Sequence, residues 1–198
     1  MLGIDRIWNG RPSGVVGAIL DAVIIIRDRL ADKLATHIWR GNLDQLGPNS
    51  IIQRNVTIRY PSNVKIGSQC SIASLSNITS EFPDSFIRID DNVAINRNVR
   101  LDYSGGLIIG RNALISENVM IYTHSHGHNP RSVPTKTPLV IGEDVWIGAN
   151  VTIGEGVGHI APGSIIAAGA VVTREIVQPG VYGGVPARFI KRIGDATR

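Results

Sequence analysis

Aliphatic residues recur at every sixth position through most of this 198-residue chain, and few folds satisfy such a period. The clearest stretch reads Ile141-Gly-Glu-Asp-Val-Trp, Ile147-Gly-Ala-Asn-Val-Thr, Ile153-Gly-Glu-Gly-Val. After one extra residue it resumes as Ile160-Ala-Pro-Gly-Ser-Ile, Ile166-Ala-Ala-Gly-Ala-Val, Val172-Thr. Upstream, Ile89, Ile95 and Leu101 keep the spacing, as do Ile109, Ile115 and Ile121 after a two-residue slip at Ser104-Gly105-Gly106. Ile52, Ile58, Ile66 and Ile72 open the series, and the degenerate rung between Ile72 and Ile89 is expected to bulge outward. An α-helix repeats at 3.6 residues and a half-buried strand alternates throughout, so neither explains this pattern. A coil of three short flat sides does, with the first residue of each side stacked inward on its counterpart one coil away. The fifth position also points in and must be small. Cys70 occupies it in Ile66-Gly-Ser-Gln-Cys, which makes it a buried filler rather than a nucleophile. Composition agrees: 29 Ile and 18 Val stand against 11 Leu, and stiff β-branched side chains favour strands. With 22 Gly and 5% aromatics, a conventional β-sandwich core is a poor fit.

Residues 1–48 follow a different period. Val16, Ile19, Leu20, Val23, Ile26, Leu30, Leu34 and Ile38 recur at helical spacing after Pro12-Ser13, which predicts one amphipathic helix over about residues 13–39. It should pack on the main domain or on a neighbouring subunit; a second reading is peripheral membrane contact assisted by Arg6, Arg11 and Trp8. The apolar run from Val15 to Ile26 is too short to span a bilayer. The division is thus a helical segment at 1–48, the coil at 49–177 with an extended loop at 122–138, and a tail at 178–198. Asp5 and Arg6 precede any apolar run and the one cysteine admits no intrachain disulfide, so a reducing, cytoplasmic setting is expected, with the inner face of the cell membrane as the variant. The net charge of +4 is spread along the chain, which points away from nucleic acid and toward a solvated surface or a phosphate-bearing ligand.

The period fails between Ile121 and Ile141, in a polar, Pro-bounded tract holding His124, His126 and His128. A solenoid interrupted in this way commonly does so for function. Imidazole suits two chemistries here: removing a proton from an attacking alcohol, or binding a metal ion.

The repeats in phase over residues 50–193 resemble the hexapeptide-repeat acyltransferase superfamily, which implies a left-handed parallel β-helix. Within it, Thr123-His-Ser-His126 and Ile141-Gly-Glu-Asp-Val-Trp-Ile-Gly148 resemble the maltose, galactoside and xenobiotic acetyltransferase branch. That resemblance implies His126 as general base, with His124 the runner-up and His128 third. Asn96-Arg-Asn98 matches an element whose first Asn positions the acceptor, which implies Asn96 ahead of Asn98. Asp102 lies near the acceptor-contacting carboxylate of some relatives but out of register, so their acceptor specificity does not carry over. Trp146 matches a tryptophan flanking the acetyl-CoA groove; Gly148, Ala149 and Ala168 are small enough to line it, and the Ala149 N–H is placed to hold an oxyanion. Val172-Thr-Arg174 and Gly183-Gly-Val-Pro-Ala-Arg188 resemble the closing element of these enzymes, implying that Thr173, Arg174, Arg188 and Lys191 meet the adenine and phosphate end of CoA.

The resemblance therefore implies a homotrimeric O-acetyltransferase with acetyl-CoA as co-substrate, sites at subunit interfaces and no metal requirement. The lead-in Leu34-Ala-Thr-His-Ile-Trp-Arg-Gly and Leu46-Gly-Pro-Asn is similar to bacterial enzymes that acetylate polysaccharide precursors, which favours a polysaccharide or lipid-linked sugar as acceptor. Two rivals stand beside it. One is a γ-carbonic-anhydrase-like metal enzyme drawing on His124, His126 and His159, although Ser164 stands where that family has its third ligand. The other is a non-catalytic scaffold, which has no use for Trp146, Arg174, Arg188 and a histidine loop together.

Overall fold

The computed structural model describes residues 14–194. The Pro12-Ser13 helix start and Arg6, Trp8 and Arg11 lie outside the described residues. From residue 45 the chain winds as a parallel β-helix of about seven turns. Three parallel sheets form its sides. The first stacks Gln45–Leu46, Val64–Ile66, Ile87–Ile89, Leu107–Ile109, Leu139–Ile141 and His159–Ile160. The second begins with Ile51–Ile52 and runs through Ala94–Ile95 and Trp146–Ile147 to Val181–Gly183; the third runs from Thr57–Ile58 to Val171–Val172.

The predicted aliphatic phase is the register of the stack. In the first sheet Ile66 pairs with Ile89, Ile89 with Ile109 and Ile109 with Ile141. Ile115 and Ile147 pair in the second sheet, and Ile121 and Ile153 in the third. All of these are fully buried, and the fifth-position residues Cys70, Val93, Ala113, Val145 and Ala170 fill the corners between them. At roughly 1.5–3 kcal/mol for each fully buried aliphatic side chain, this column supplies the main stabilisation. Asn side chains stack along one corner as well. Asn92 donates to Asn112 and Asn112 to Asp144, each at 2.9 Å, and each sits in the left-handed backbone region, which Asn and Asp tolerate.

The rung after Ile72 is less degenerate than expected. Ile78 is buried in the third sheet, six residues on, and pairs with Leu101. The outward bulge comes after it, at residues 80–86, before Ile87 rejoins the first sheet.

Helix α1 (Gly14–Arg40) precedes the coil, and none of its residues is fully buried. Its C-terminal half is anchored to the first turn: the Ile52 N–H donates to Thr36 Oγ1 at 3.0 Å, and Arg54 bridges Asp28 and Asp32. Trp39 packs against the core. The apolar residues of the N-terminal half, from Val15 to Ile26, remain largely exposed. Among the described residues no helix is long and apolar enough to cross a membrane. At the far end, Val181–Gly183 and Arg188–Lys191 form an antiparallel hairpin on the second sheet.

Candidate active site

Every major departure from the six-residue period falls on one edge of the coil, where the third sheet turns back into the first. The bulge at 80–86 follows Ile78, the short slip at 102–106 follows Leu101, and the loop at 122–138 follows Ile121. Because these three residues are stacked neighbours, segments far apart in sequence meet on that edge.

The loop is a small antiparallel ribbon in which His124 pairs with Lys136 and Ser125 with Thr135. Its foot is narrow. The Gly105 N–H donates to Thr123 Oγ1 at 2.8 Å, and the Thr137 N–H to the Thr123 carbonyl at 2.9 Å. A Cβ on Gly105 would fall 2.6 Å from the Thr137 carbonyl oxygen, so no larger residue fits. The 80–86 bulge braces the loop: Lys136 Nζ lies 2.9 Å from Asp84 Oδ1 and over the Phe82 ring.

Asp102 is buried beneath this foot. It accepts hydrogen bonds from the Thr123 N–H at 2.8 Å, the Ser104 N–H at 3.1 Å, the Ser104 hydroxyl, and His124 Nδ1 at 2.8 Å. Burial alone would raise its pKa, but the donors from Ser104, Thr123 and His124 outweigh burial and hold the carboxyl below its ordinary value. Asp102 is therefore an anion, and His124 must give it the Nδ1 hydrogen. His126 is oriented in a second way: its Nδ1 lies 3.0 Å from the Ser132 carbonyl oxygen. A carbonyl can only accept, so Nδ1 carries a hydrogen, and in the neutral ring Nε2 is the nitrogen with the lone pair. The two rings meet edge to face with centroids 5.5 Å apart. Glu81, from the bulge, lies beside both, with its oxygens 3.4 Å from His124 Nε2 and 3.6 Å from His126 Nε2. His128 is exposed further along the loop.

The other predicted residues lie elsewhere on the coil. Asn96 follows the second-sheet residue Ile95 and is exposed at the opposite edge of the third sheet from the histidines. Asn98 is engaged at a second corner, between the second and third sheets, donating to Asn118 at 2.9 Å. Gly148 and Ala149 follow Ile147 on the same edge as Asn96, two coils along. The neighbouring coil accounts for Gly148, since a Cβ there would lie 2.7 Å from the Ala168 nitrogen. Ala168 is exposed beside it. Trp146 is half-exposed on the second sheet, its Nε1–H donating to Ser116 Oγ at 3.2 Å. Arg174 and Arg188 line one shallow cleft of about 180 Å³ with Tyr182 and Phe189. Thr173 is exposed next to Arg174, and Lys191 ends the hairpin strand. His159 lies on the outer side of the first sheet in register with Val140, while Ser164 is sealed in the core.

Glu81 was invisible in the sequence and Asp102 was set aside as out of register. The signal for both was present: each follows a third-sheet aliphatic at a point where the period slips.

A parallel β-helix whose one long interruption carries oriented imidazoles defines a class, the hexapeptide-repeat acyltransferases. No protein-family model matches the chain. Individual relatives do. It is 32% identical over 161 residues to a protein of Escherichia coli strain K12 whose name assigns it to lipopolysaccharide biosynthesis as an O-acetyl transferase, a match covering 71% of this chain and 81% of that one. It is also 32% identical to the galactoside O-acetyltransferase of Escherichia coli K12, over 76% of this chain and 64% of that one. Among solved structures, a hexapeptide-repeat acetyltransferase of Vibrio cholerae complexed with acetyl-CoA superposes with a TM-score of 0.56 at 26% identity, covering 80% of this chain and 76% of that one. An N-acyltransferase from Bacillus cereus shares the fold at a TM-score of 0.69 and 20% identity, covering 79% of this chain and 87% of that one. The chain belongs to the hexapeptide-repeat acetyltransferase superfamily and is an acetyltransferase.

Proposed function

We propose that this acetyltransferase moves the acetyl group of acetyl-CoA directly onto a hydroxyl of a glycan, a polysaccharide or lipid-linked sugar precursor, with His126 as general base. The observation that carries the reading is the 3.0 Å contact of His126 Nδ1 with the Ser132 carbonyl, which leaves Nε2 as the nitrogen available to take a proton. His126 Nε2 takes the hydroxyl proton as the oxygen attacks the thioester carbon. The tetrahedral oxyanion is held by a backbone N–H, assigned to Ala149. Collapse breaks the carbon–sulfur bond, and the leaving CoA sulfur recovers the proton from His126. No covalent enzyme intermediate is required, and Cys70, 2% exposed, is not available to form one.

His124 satisfies the same orientation rule through Asp102. Exposure supports His126 over His124, since its side chain is 33% exposed and that of His124 15%.

Trp146, Gly148, Ala149 and Ala168 are assigned to the pantetheine groove, and Thr173, Arg174, Arg188 and Lys191 to the adenine and phosphate end. The shared cleft of Arg174 and Arg188 supports this, since two guanidinium groups together suit phosphate oxygens. Asn96 is assigned to the acceptor. Within one chain the histidine loop and the residues Gly148, Ala149 and Ala168 occupy opposite edges of the third sheet. We infer that a second copy completes each site, as in a homotrimer with sites between subunits. Acyl-CoA use is supported by the Vibrio cholerae relative's bound acetyl-CoA, and a glycan acceptor by the names of the two Escherichia coli relatives. A cytoplasmic enzyme, with α1 meeting a neighbouring subunit or the inner membrane face, fits this assignment.

The test is CoA release from acetyl-CoA, screened against candidate glycans, with wild type and His126→Ala compared. The reading expects transfer to a sugar hydroxyl that collapses in the variant while CoA binding persists. Near-normal turnover by His126→Ala would overturn the base assignment.

A further inference from the structure

A carboxylate and two imidazole nitrogens converge beside the loop. His124 gives its Nδ1 hydrogen to the Asp102 carboxylate, and His126 gives its own to the Ser132 carbonyl. Both Nε2 lone pairs then face the Glu81 carboxylate, at 3.4 and 3.6 Å. The ligand atoms of all three residues lie within 4.8 Å of one another. Two imidazole nitrogens and a carboxylate held this close suit a shared positive centre.

We propose that Glu81, His124 and His126 form a binding site for a borderline divalent transition-metal ion of the zinc type, and that the bound ion inhibits the enzyme by occupying His126 Nε2. The donor set selects the ion. Two imidazole nitrogens and one carboxylate oxygen suit zinc and its neighbours, whereas magnesium and calcium prefer all-oxygen shells. The outer partners are those that metal-bound histidines use: a carboxylate behind one ring and a backbone carbonyl behind the other fix the tautomer and strengthen the ligand. With zinc bonds of about 2.0–2.1 Å, tetrahedral donors lie roughly 3.3 Å apart. The two Glu81 contacts are already near that spacing, and no pair in the set is more than 4.8 Å apart. Charge favours a dication, since Glu81 and Asp102 are both acidic and the rings are neutral as ligands. The ion would also tie the 80–86 bulge to the histidine loop. The binding half of the proposal stands on this geometry alone; the inhibitory half rests on His126 as the base.

The test uses the full-length chain, stripped with a chelator and titrated with Co²⁺, whose visible absorption reports inner-sphere coordination, followed by displacement with Zn²⁺. The expected result is saturable absorption at about one ion per chain. Affinity should fall about tenfold or more in Glu81→Gln and in His124→Asn. Glu81 is half-exposed, so its amide variant keeps the fold. Zn²⁺ should suppress acetyl transfer over the range in which it displaces Co²⁺, and chelation should restore it. Absent saturable absorption, or affinity unchanged in Glu81→Gln, overturns the site. Binding without loss of transfer overturns the inhibition. Normal transfer by His126→Ala, with Co²⁺ binding intact in the wild type, overturns the base assignment and leaves the metal site standing.

Discussion

His124 Nδ1 lies 2.8 Å from Asp102 Oδ2, and that contact joins the histidine loop to the core of the coil. Asp102 belongs to a third-sheet strand and His124 to the loop that follows the next coil, so one carboxylate sets both the loop's foot and a ring's tautomer. Removing the acceptor leaves the Ser104 and Thr123 donors unpaired in a buried place. Asp102→Ala should therefore cost about 1–3 kcal/mol of unfolding free energy by urea denaturation, with Asp102→Asn costing less.

The same carboxylate makes the protein acid-sensitive. Its folded pKa is held below the ordinary value of 3.8, so its stabilisation is complete above that value and is lost as pH falls through the lower folded one. The urea midpoint should decline below about pH 4 in the wild type. A decline of equal size in Asp102→Asn would show that other groups cause it.

The two histidines are expected to separate in kinetics. His126→Ala should reduce acetyl transfer by about 10²–10⁴-fold, the usual range for losing a general base. His124→Ala should reduce it less. Steady-state CoA release with both variants decides the order, and the reverse ranking would move the base to His124.

Gly105 should prove unable to carry a side chain. A Cβ there meets the Thr123 and Thr137 backbones at the neck of the loop. Gly105→Ala is expected to lose about 1–3 kcal/mol and to lower turnover beyond that effect, because the displaced strands carry His124 and His126. Unchanged turnover in the folded variant would mean that loop position does not matter.

One tyrosine should titrate apart from the others. Tyr103 is fully buried and donates to the Arg59 carbonyl. Burial first, with Tyr60 and Asp102 adding to it against Arg59, pushes the phenol up to about 12. Ultraviolet titration should show one of four tyrosines ionising late. Its stabilising contribution is complete below the ordinary value of 10.0 and is lost as pH rises through about 12.

The coil itself was legible because its physics is periodic. Ile66, Ile89, Ile109 and Ile141 are equivalent by stacking, and a stacked position announces itself at a fixed spacing. The loop was legible as a failure of that spacing. Glu81 and Asp102 were not, because their meaning comes from pairing across coils. Thr79 and Asp102 share a register only once the rungs are aligned, and the irregular lengths between them hide it.

By itself, then, the sequence determined the period, the inward column, the helix and the place where the coil opens, since each depends on local spacing and side-chain stiffness. The tertiary structure alone decided which groups face the histidines. Stacking puts residues 80–86, 102–106 and 122–138 on one edge, and burial there lets a single carboxylate and a single carbonyl dictate which nitrogen of each ring is left free.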